Sequence, residues 1–509
     1  MSSDDLQPRR DLTLTHATSL VVGIIIGTGI FLKSATMAQA VGTPALLLAA
    51  WVAAGLVAML GALCFAELGA LLPHAGGEYV YLRSAYGEVP GFLFACNAFV
   101  LGGAAVAAYG AAVAIFISDI HPLSHAARQL IAVAVIAVFA AINCAGVMLG
   151  GRVQAVLTAA KVLAIAGVAL GVFLFGSTGT VANLAAPAGS NSGGLAGFGA
   201  AMFSALWAYS GWQFLPMAAG EVREPQRNLP RAIVGGTLLV LALYLMINAA
   251  YLYALPLWQV ASANSTAYPE APSVAARAVQ TFLGGRAAPI AALIFLVSTI
   301  GSMNGVILSA ARVPYAAARD GLFFERFGRL SPRSRVPVTS LVLLALWGAL
   351  LALSGTFDQL TNMAVMSYAL FWIPVALAVP VLRRKRPDLP RTYRVPGYPA
   401  VPLLFALVMA WIVVSALRSA PRESIATLVL ILLGLPLYPL FRRRRARPLP
   451  PVTSTQAPRA WAARRVAART RAPPRGTAAR GACGTSGRCA GARRRRCAPG
   501  RSSARSRGG

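Results

Sequence analysis

Apolar runs of about twenty residues, the length a helix needs to cross the hydrocarbon of a bilayer, recur along this chain from Thr15 to Phe441. In hydrocarbon every backbone N–H and C=O must be satisfied within the protein, so such runs read as packed transmembrane α-helices. They fall at Thr15–Met37, Pro44–Leu72, Val89–Ile117, Gln129–Leu149, Val153–Phe175 and Phe198–Gly220 in the first half. Ala232–Leu255, Pro289–Tyr315, Val338–Ser354, Leu360–Val381, Val401–Leu417 and Ile425–Phe441 follow. The expected fold is therefore all-α and polytopic, with twelve transmembrane helices. A content of 57% hydrophobic and 12% charged residues excludes a water-soluble chain. Met1 to Arg10 is polar and leads directly into a full-length run, so no cleavable signal peptide is expected.

An even number of spans puts both termini on one side, and the short loops say which, because Lys and Arg are retained in the cytoplasm. Up to Arg445 the segments assigned to that side hold about twenty-three basic residues, against about five on the other. They include Arg312, Arg319, Arg326, Arg329, Arg333, Arg335 and the run Arg383 to Arg386. Both termini are expected to be cytoplasmic, in a plasma-membrane protein. The net charge of +31 draws attention to nucleic acid, but about twenty of the positive charges are arginines beyond Phe441, where Lys, Asp and Glu are missing. Cys64, Cys96 and Cys144 lie in apolar runs and Cys483, Cys489 and Cys497 in the tail, with neither metal-ligand spacing nor a disulfide frame.

Within the first run, Gly27-Thr28-Gly29 places two glycines around a hydroxyl at mid-depth. One reading is close helix packing through small residues, since Gly23 and Gly27 form a GxxxG. The other is an unwound break. There, N–H groups opening the outer half-helix suit a carboxylate, and carbonyls ending the inner half suit an ammonium. The sixth run carries a counterpart, Leu206-Trp207-Ala208-Tyr209-Ser210-Gly211-Trp212. Thr28 and Ser210 stand about 180 residues apart, the spacing a five-plus-five inverted repeat needs across the first ten spans. The loop Glu221–Arg231 then reads as a cytoplasmic hinge or a solvated connector, with Pro230 suited to a first helical turn. Asn264-Ser265-Thr266 in the next external loop is a weak glycosylation sequon.

These stretches resemble the amino acid permeases of the amino acid, polyamine and organocation superfamily, nearest the L-type amino acid transporter branch and its bacterial relatives. The resemblance rests on Gly23–Phe31, Trp207–Trp212 with Glu221–Arg231, Gly301-Ser302-Met303-Asn304-Gly305 with Arg312–Gly321, and Tyr393-Arg394-Val395-Pro396-Gly397-Tyr398-Pro399. It covers about Leu12 to Phe441. It implies a LeuT-like fold, with the substrate carboxylate at the backbone of Gly27, Thr28 and Gly29. It places the ammonium at carbonyls near Ile24, Trp207 and Ser210, Trp207 as gating aromatic, and Ser210 and Gln213 at the side-chain pocket. The division expected is a cytoplasmic N-terminus (1–11), a ten-helix transport core (12–381), a cytoplasmic loop with helices eleven and twelve (382–441), and a tail (442–509).

Lys161 lies about eight residues into the fifth run, where a bare ammonium costs several kcal/mol. It either snorkels to the interface or occupies a cation position, with Gly23, Ser298, Thr299 and Ser302 as candidate partners. Similar permeases carry a lysine here in place of the sodium of sodium-driven relatives, which argues against sodium coupling. Proton release by Lys161 means symport; a fixed charge means exchange or facilitation. Glu67 is expected to help close the cytoplasmic side, with no partner evident from sequence. Segment 118–128 lacks the cysteine through which L-type light chains of animals bind a heavy chain, so no covalent partner is expected.

The tail from Arg442 is rich in Arg, Ala, Pro and Gly and reads as disordered. Anionic lipid is a conceivable contact; its codon-biased composition also fits an appended non-native frame, and no nucleic-acid partner is expected. With no phosphate loop, metal cluster or convergent catalytic set, neither an enzyme nor a cofactor is expected. The function expected is sodium-independent secondary transport of amino acids, leaning to neutral ones because the pocket residues include no acid. An amino acid sensor using the same site, or a carrier of cationic amino acids or polyamines, remains the alternative.

Overall fold

The computed structural model describes residues 8–185, 193–265, 267–268, 271–354, 357–419 and 421–444. The described residues fall in one compact unit, which runs to Pro448. The expected tail lies outside the described residues apart from its first three positions, where Arg442–Arg444 continue a helix.

The elements in order are α1 (Leu14–Ile25), α2 (Gly29–Val41), α3 (Pro44–Leu71), α4 (Glu78–Tyr86), α5 (Glu88–Ile120), α6 (His125–Ala145) and α7 (Val147–Phe175). Next come α8 (Ala182–Ala185), α9 (Gly194–Tyr209), α10 (Phe214–Met217), α11 (Pro225–Ala254), α12 (Leu257–Ala261) and α13 (Val274–Leu283). The series closes with α14 (Ala287–Ala310), α15 (Arg312–Arg319), α16 (Val338–Ser354), α17 (Phe357–Lys385), α18 (Ala400–Ser419), α19 (Pro421–Leu432) and α20 (Tyr438–Arg444). Among the described residues ten helical stretches are long and apolar enough to cross a membrane, and two shorter apolar helices, α9 and the bulk of α16, fall between them. Each of the twelve apolar runs is thus helical. The sixth is short because its helix stops at Tyr209 and resumes for only the four residues of α10.

Local chemistry sets the helix ends. Thr43 caps α3 by accepting from the Leu46 amide at 3.1 Å, with Pro44 in the first turn, while Gly42 ends α2 in the left-handed conformation at φ 71°. The loop reading of Glu221–Arg231 needs correction: α11 already starts at Pro225, and Pro230 lies inside it. Pro230 has no N–H to give to the Gln226 carbonyl one turn back. The Thr392 hydroxyl takes that carbonyl instead, at 3.1 Å, which lets the helix run on and ties it to the segment after α17.

Packing follows from small residues and from the environment. Helix α5 lies against α4, α6, α14, α16 and α17, and α11 against α1, α3 and α7. Alanine and glycine dominate these seams, because in lipid the backbones approach through small side chains rather than by apolar burial alone. Large apolar side chains such as Val156, Leu163, Leu174 and Phe175 on α7 are left on the outside, as a lipid-facing surface requires.

Candidate functional site

Helix α1 ends at Ile25 and α2 starts at Gly29, so the chain unwinds over Ile26, Gly27 and Thr28. The Gly27 amide turns back to the Ile25 carbonyl at 2.8 Å. The amides of Thr28, Gly29 and Ile30 then have no hydrogen-bond partner among the described residues. Three N–H groups at the start of α2 are the orphan donors of a helix N-terminus and carry its partial positive charge. In α9 the chain breaks after Tyr209, and Gly211 adopts φ +151°. A Cβ there would lie 2.6 Å from the Ile25 nitrogen and 2.9 Å from the Ile24 carbonyl carbon. The two breaks therefore touch, backbone to backbone, at a point only glycine allows.

Of the GxxxG pair only Gly23 packs closely on a neighbouring helix, while Gly27 falls where the chain unwinds. Gly23 and Gly29 serve packing: a Cβ on Gly23 would meet Thr158 and Gln154 at 2.1 and 2.2 Å, and one on Gly29 would meet Ala208 at 2.6 Å. Gly27 lies in the break itself, facing Ser302 and Tyr109.

Lys161 does not snorkel. Its side chain is 1% exposed and its ammonium donates to the Gly23 carbonyl at 2.5 Å, the Ile26 carbonyl at 2.7 Å and the Ser302 hydroxyl oxygen at 3.1 Å. Three donors meet three acceptors, two of them carbonyls freed where α1 unwinds. Ser298 and Ser302, one turn apart on α14, support the same carbonyls: Ser298 reaches Ile26 at 3.0 Å and Gly27 at 3.2 Å, and Ser302 reaches Gly23 at 3.0 Å. Thr299 is buried, but its hydroxyl has no partner; it lies 100° round the helix from Ser298 and misses the cluster. Gly301 makes room for the lysine, since a Cβ there would lie 2.6 Å from its Cε and 2.8 Å from its Nζ.

Across the break, the Trp207 indole N–H donates to the Thr28 hydroxyl at 3.3 Å, and the Trp207 ring lies 5.9 Å from that of Tyr109. Gln213 is fully buried; its Oε1 accepts from the Gly211 amide at 2.7 Å, which fixes the turn, while its Nε2 has no partner. Ser210 is 7% exposed and Thr28 1%, so the breaks are shut from solvent.

Sequence reading missed two tyrosines. Tyr109 of α5 borders the break beside Ser302: a Cβ on Gly27 would lie 3.4 Å from its Cε1 and 3.1 Å from the Ser302 Oγ. The Tyr244 hydroxyl of α11 lies 2.8 Å from the Ile25 carbonyl and 3.1 Å from that of Ala208, joining the carbonyls released by both breaks. The only signal was a polar group at mid-run, flanked by alanine and glycine for Tyr109 and by leucines for Tyr244.

At the end of the bundle where α1 begins, the Leu12 amide donates to the Glu221 carbonyl at 2.9 Å, and the Arg223 amide to that of Leu12 at 2.8 Å. The Glu221 carboxylate and the Arg312 guanidinium pair at 3.0 Å, each 1% exposed. Glu67 has partners after all: Arg383 at 2.6 Å, the Val395 amide at 2.6 Å and Arg391 at 3.8 Å. Arg383 also stacks on Tyr398, 3.9 Å from its ring centre.

The family model for amino acid permeases matches residues 12–435, from just before α1 to just past α19. The chain belongs to the amino acid permease family. It is 29% identical over 449 residues to the serine/threonine exchanger SteT of Bacillus subtilis, covering 88% of this chain and 100% of that one. It is 31% identical over 449 residues to the human b(0,+)-type amino acid transporter 1, covering 85% and 88%. With the human cystine/glutamate transporter the figure is 28% over 446 residues, covering 86% of each. These relatives are transporters and exchangers, not enzymes. The chain is accordingly a multi-pass integral membrane permease of the amino acid transporter type.

Proposed function

We propose that the permease is a twelve-span carrier of LeuT-like architecture that moves neutral amino acids across the plasma membrane by alternating access, with both termini cytoplasmic. The observation that carries the reading is the set of three unpaired amides at Thr28, Gly29 and Ile30, aimed from a helix N-terminus into a closed site. They are suited to the substrate carboxylate. The ammonium then has the carbonyls around Ile24, Trp207 and Ser210, and Trp207, held on Thr28, closes the outer side.

Gln213 offers an unpaired N–H from its Nε2 to a side chain bearing a hydroxyl or carbonyl oxygen, and an unsatisfied buried donor favours a ligand that accepts from it. A cationic side chain finds no counter-charge among Thr28, Trp207, Ser210 and Gln213. The Bacillus relative is a serine/threonine exchanger, which agrees in both substrate class and mode.

Lys161 takes the place of a coupling cation, its ammonium bound by three neutral acceptors. Held charged, it supports sodium-independent exchange; releasing its proton, it supports symport. The test is uptake of radiolabelled serine, threonine, leucine and arginine into proteoliposomes that are empty, preloaded, or under an inward proton gradient. Uptake of neutral amino acids only with preloading is the expected result. Gradient-driven uptake into empty vesicles means symport instead, and binding without flux in any condition overturns transport in favour of a sensor.

A further inference from the structure

The loop joining α3 to α4 carries a buried acid that the site above does not use. Gly76 and Gly77 have φ of +114° and +52°, and a Cβ on Gly76 would lie 2.7 Å from that of Ala316 on α15. A Cβ on Gly77 would lie 3.0 Å from the Met217 nitrogen of α10, and the Gly76 amide donates to the Met217 carbonyl at 2.9 Å. The loop is thus bolted to the continuation of the sixth helix. The next residue, Glu78, is 1% exposed, and its Oε2 has no hydrogen-bond partner.

Among the described residues no cation is paired with it. On α4 itself, Arg83 and Tyr79 both engage Asp320, the latter at 2.8 Å, and Tyr81 has an unpaired hydroxyl. From α5, Glu88 acts on Tyr79 and Arg83 rather than on Glu78. From α17, Tyr368 is the group that senses Glu78, while Arg383 is held by Glu67 and Lys385 by the Ala85 carbonyl. From α15, Arg312 is bound to Glu221 and Arg319 acts on Tyr315; α10 carries no titratable group, and His74, which precedes the loop, is acted on by Arg10 and Asp320. A hard metal ion would need about six oxygens, which one free carboxylate oxygen and two phenols do not provide.

We propose that Glu78 is a proton-binding site at the cytoplasmic mouth of the carrier, protonated while its loop is clamped on Met217 and Ala316 and releasing that proton to cytoplasmic water when the clamp opens. The sidedness rests on the orientation proposed above. Tyr368, which interacts electrostatically with both Tyr109 and Glu78, packs edge to face on Phe214 with centroids 6.1 Å apart, and on this proposal the proton exchanges with the cytoplasm and not through the substrate site.

Burial pushes the Glu78 carboxyl up to about 8 against its ordinary 4.5, in spite of a backbone hydrogen bond that favours the anion. The closed form therefore binds the proton more tightly than a hydrated open form. Between these two values, lowering cytoplasmic pH favours closure, by up to about tenfold per pH unit for one proton.

The experiment uses right-side-out membrane vesicles with internal and external pH set independently, together with infrared titration of the purified full chain. Wild-type exchange is expected to slow as internal pH falls from about 8 to about 5. E78Q, which mimics the protonated form, is expected to run at the low-pH rate throughout. The infrared spectrum should contain a protonated-carboxyl band that disappears near pH 8 and is missing in E78Q. Dependence on external pH alone, an unaltered internal-pH profile in E78Q, or absence of the band at pH 6 overturns the proposal. If E78Q fails to fold, Glu78→Asp must shift the midpoint of the band; an unmoved midpoint overturns it equally. The band needs no flux, so it survives failure of the transport reading, whereas failure of this proposal leaves flux intact without it.

Discussion

Lys161 is fixed by what surrounds it more than by its own charge. Its three acceptors are neutral, and Gly301 supplies the space its terminal atoms occupy. Gly301→Ala places a methyl within 2.8 Å of the ammonium, and the Leu157 Cβ at 3.2 Å limits any sideways shift. The substitution is expected to slow exchange at least tenfold, with the loss in rate larger than the loss in substrate affinity, as measured by uptake and by ligand-induced thermal stabilisation. That Lys161 and two of its partners were legible in the sequence follows from physics: a charge and hydroxyls at mid-run break an apolar pattern and demand acceptors. Thr299 met the same criterion but faces away, because only helical phase decides which neighbour of Ser298 shares its face. Tyr109 and Tyr244 escaped notice because a tyrosine fits an apolar run without violating it, and only packing shows what its hydroxyl meets.

The paired breaks behave as one unit, joined at Gly211 and by Tyr244. Gly211→Ala drives a Cβ into the backbone of Ile24 and Ile25 from a conformation alanine rarely adopts, so it is expected to abolish recovery of folded protein by size-exclusion chromatography. Gly235→Ala in α11, with nothing within 4 Å, serves as the control and is expected to be neutral or stabilising by up to about 1 kcal/mol. Tyr244→Phe leaves two buried carbonyls short of one donor, at a cost of about 1 to 3 kcal/mol, seen as a lower unfolding temperature in detergent. The positions of both breaks were readable because glycine beside a hydroxyl is poor helix material. The start of α11 was not: Pro230 looked like a first-turn proline, yet Thr392, distant in sequence, satisfies the carbonyl that Pro230 leaves open.

Closure of the end of the bundle where α1 begins gathers contacts from across the chain. Leu12 pairs with the segment after α10, Glu221 with Arg312, and Glu67 with Arg383 and the Val395 amide. Removing one partner of a buried ion pair leaves an uncompensated charge, at about 3 to 5 kcal/mol, while replacing both by apolar groups is often neutral. Arg312→Met alone is therefore expected to open this end, raising hydrogen exchange at the Leu12 and Arg223 amides, and Glu221→Met with Arg312→Met to restore protection. The helical, membrane-spanning plan was visible in the sequence because apolar length sets it; these latches were not, because their partners lie up to 328 residues apart. The tethered ammonium of Lys161 has a thermodynamic corollary. A cation bonded to the chain carries no concentration gradient across the bilayer, so while it keeps its proton the site adds no driving force. A carrier of that kind draws on the amino acid gradients alone, whether it exchanges or facilitates.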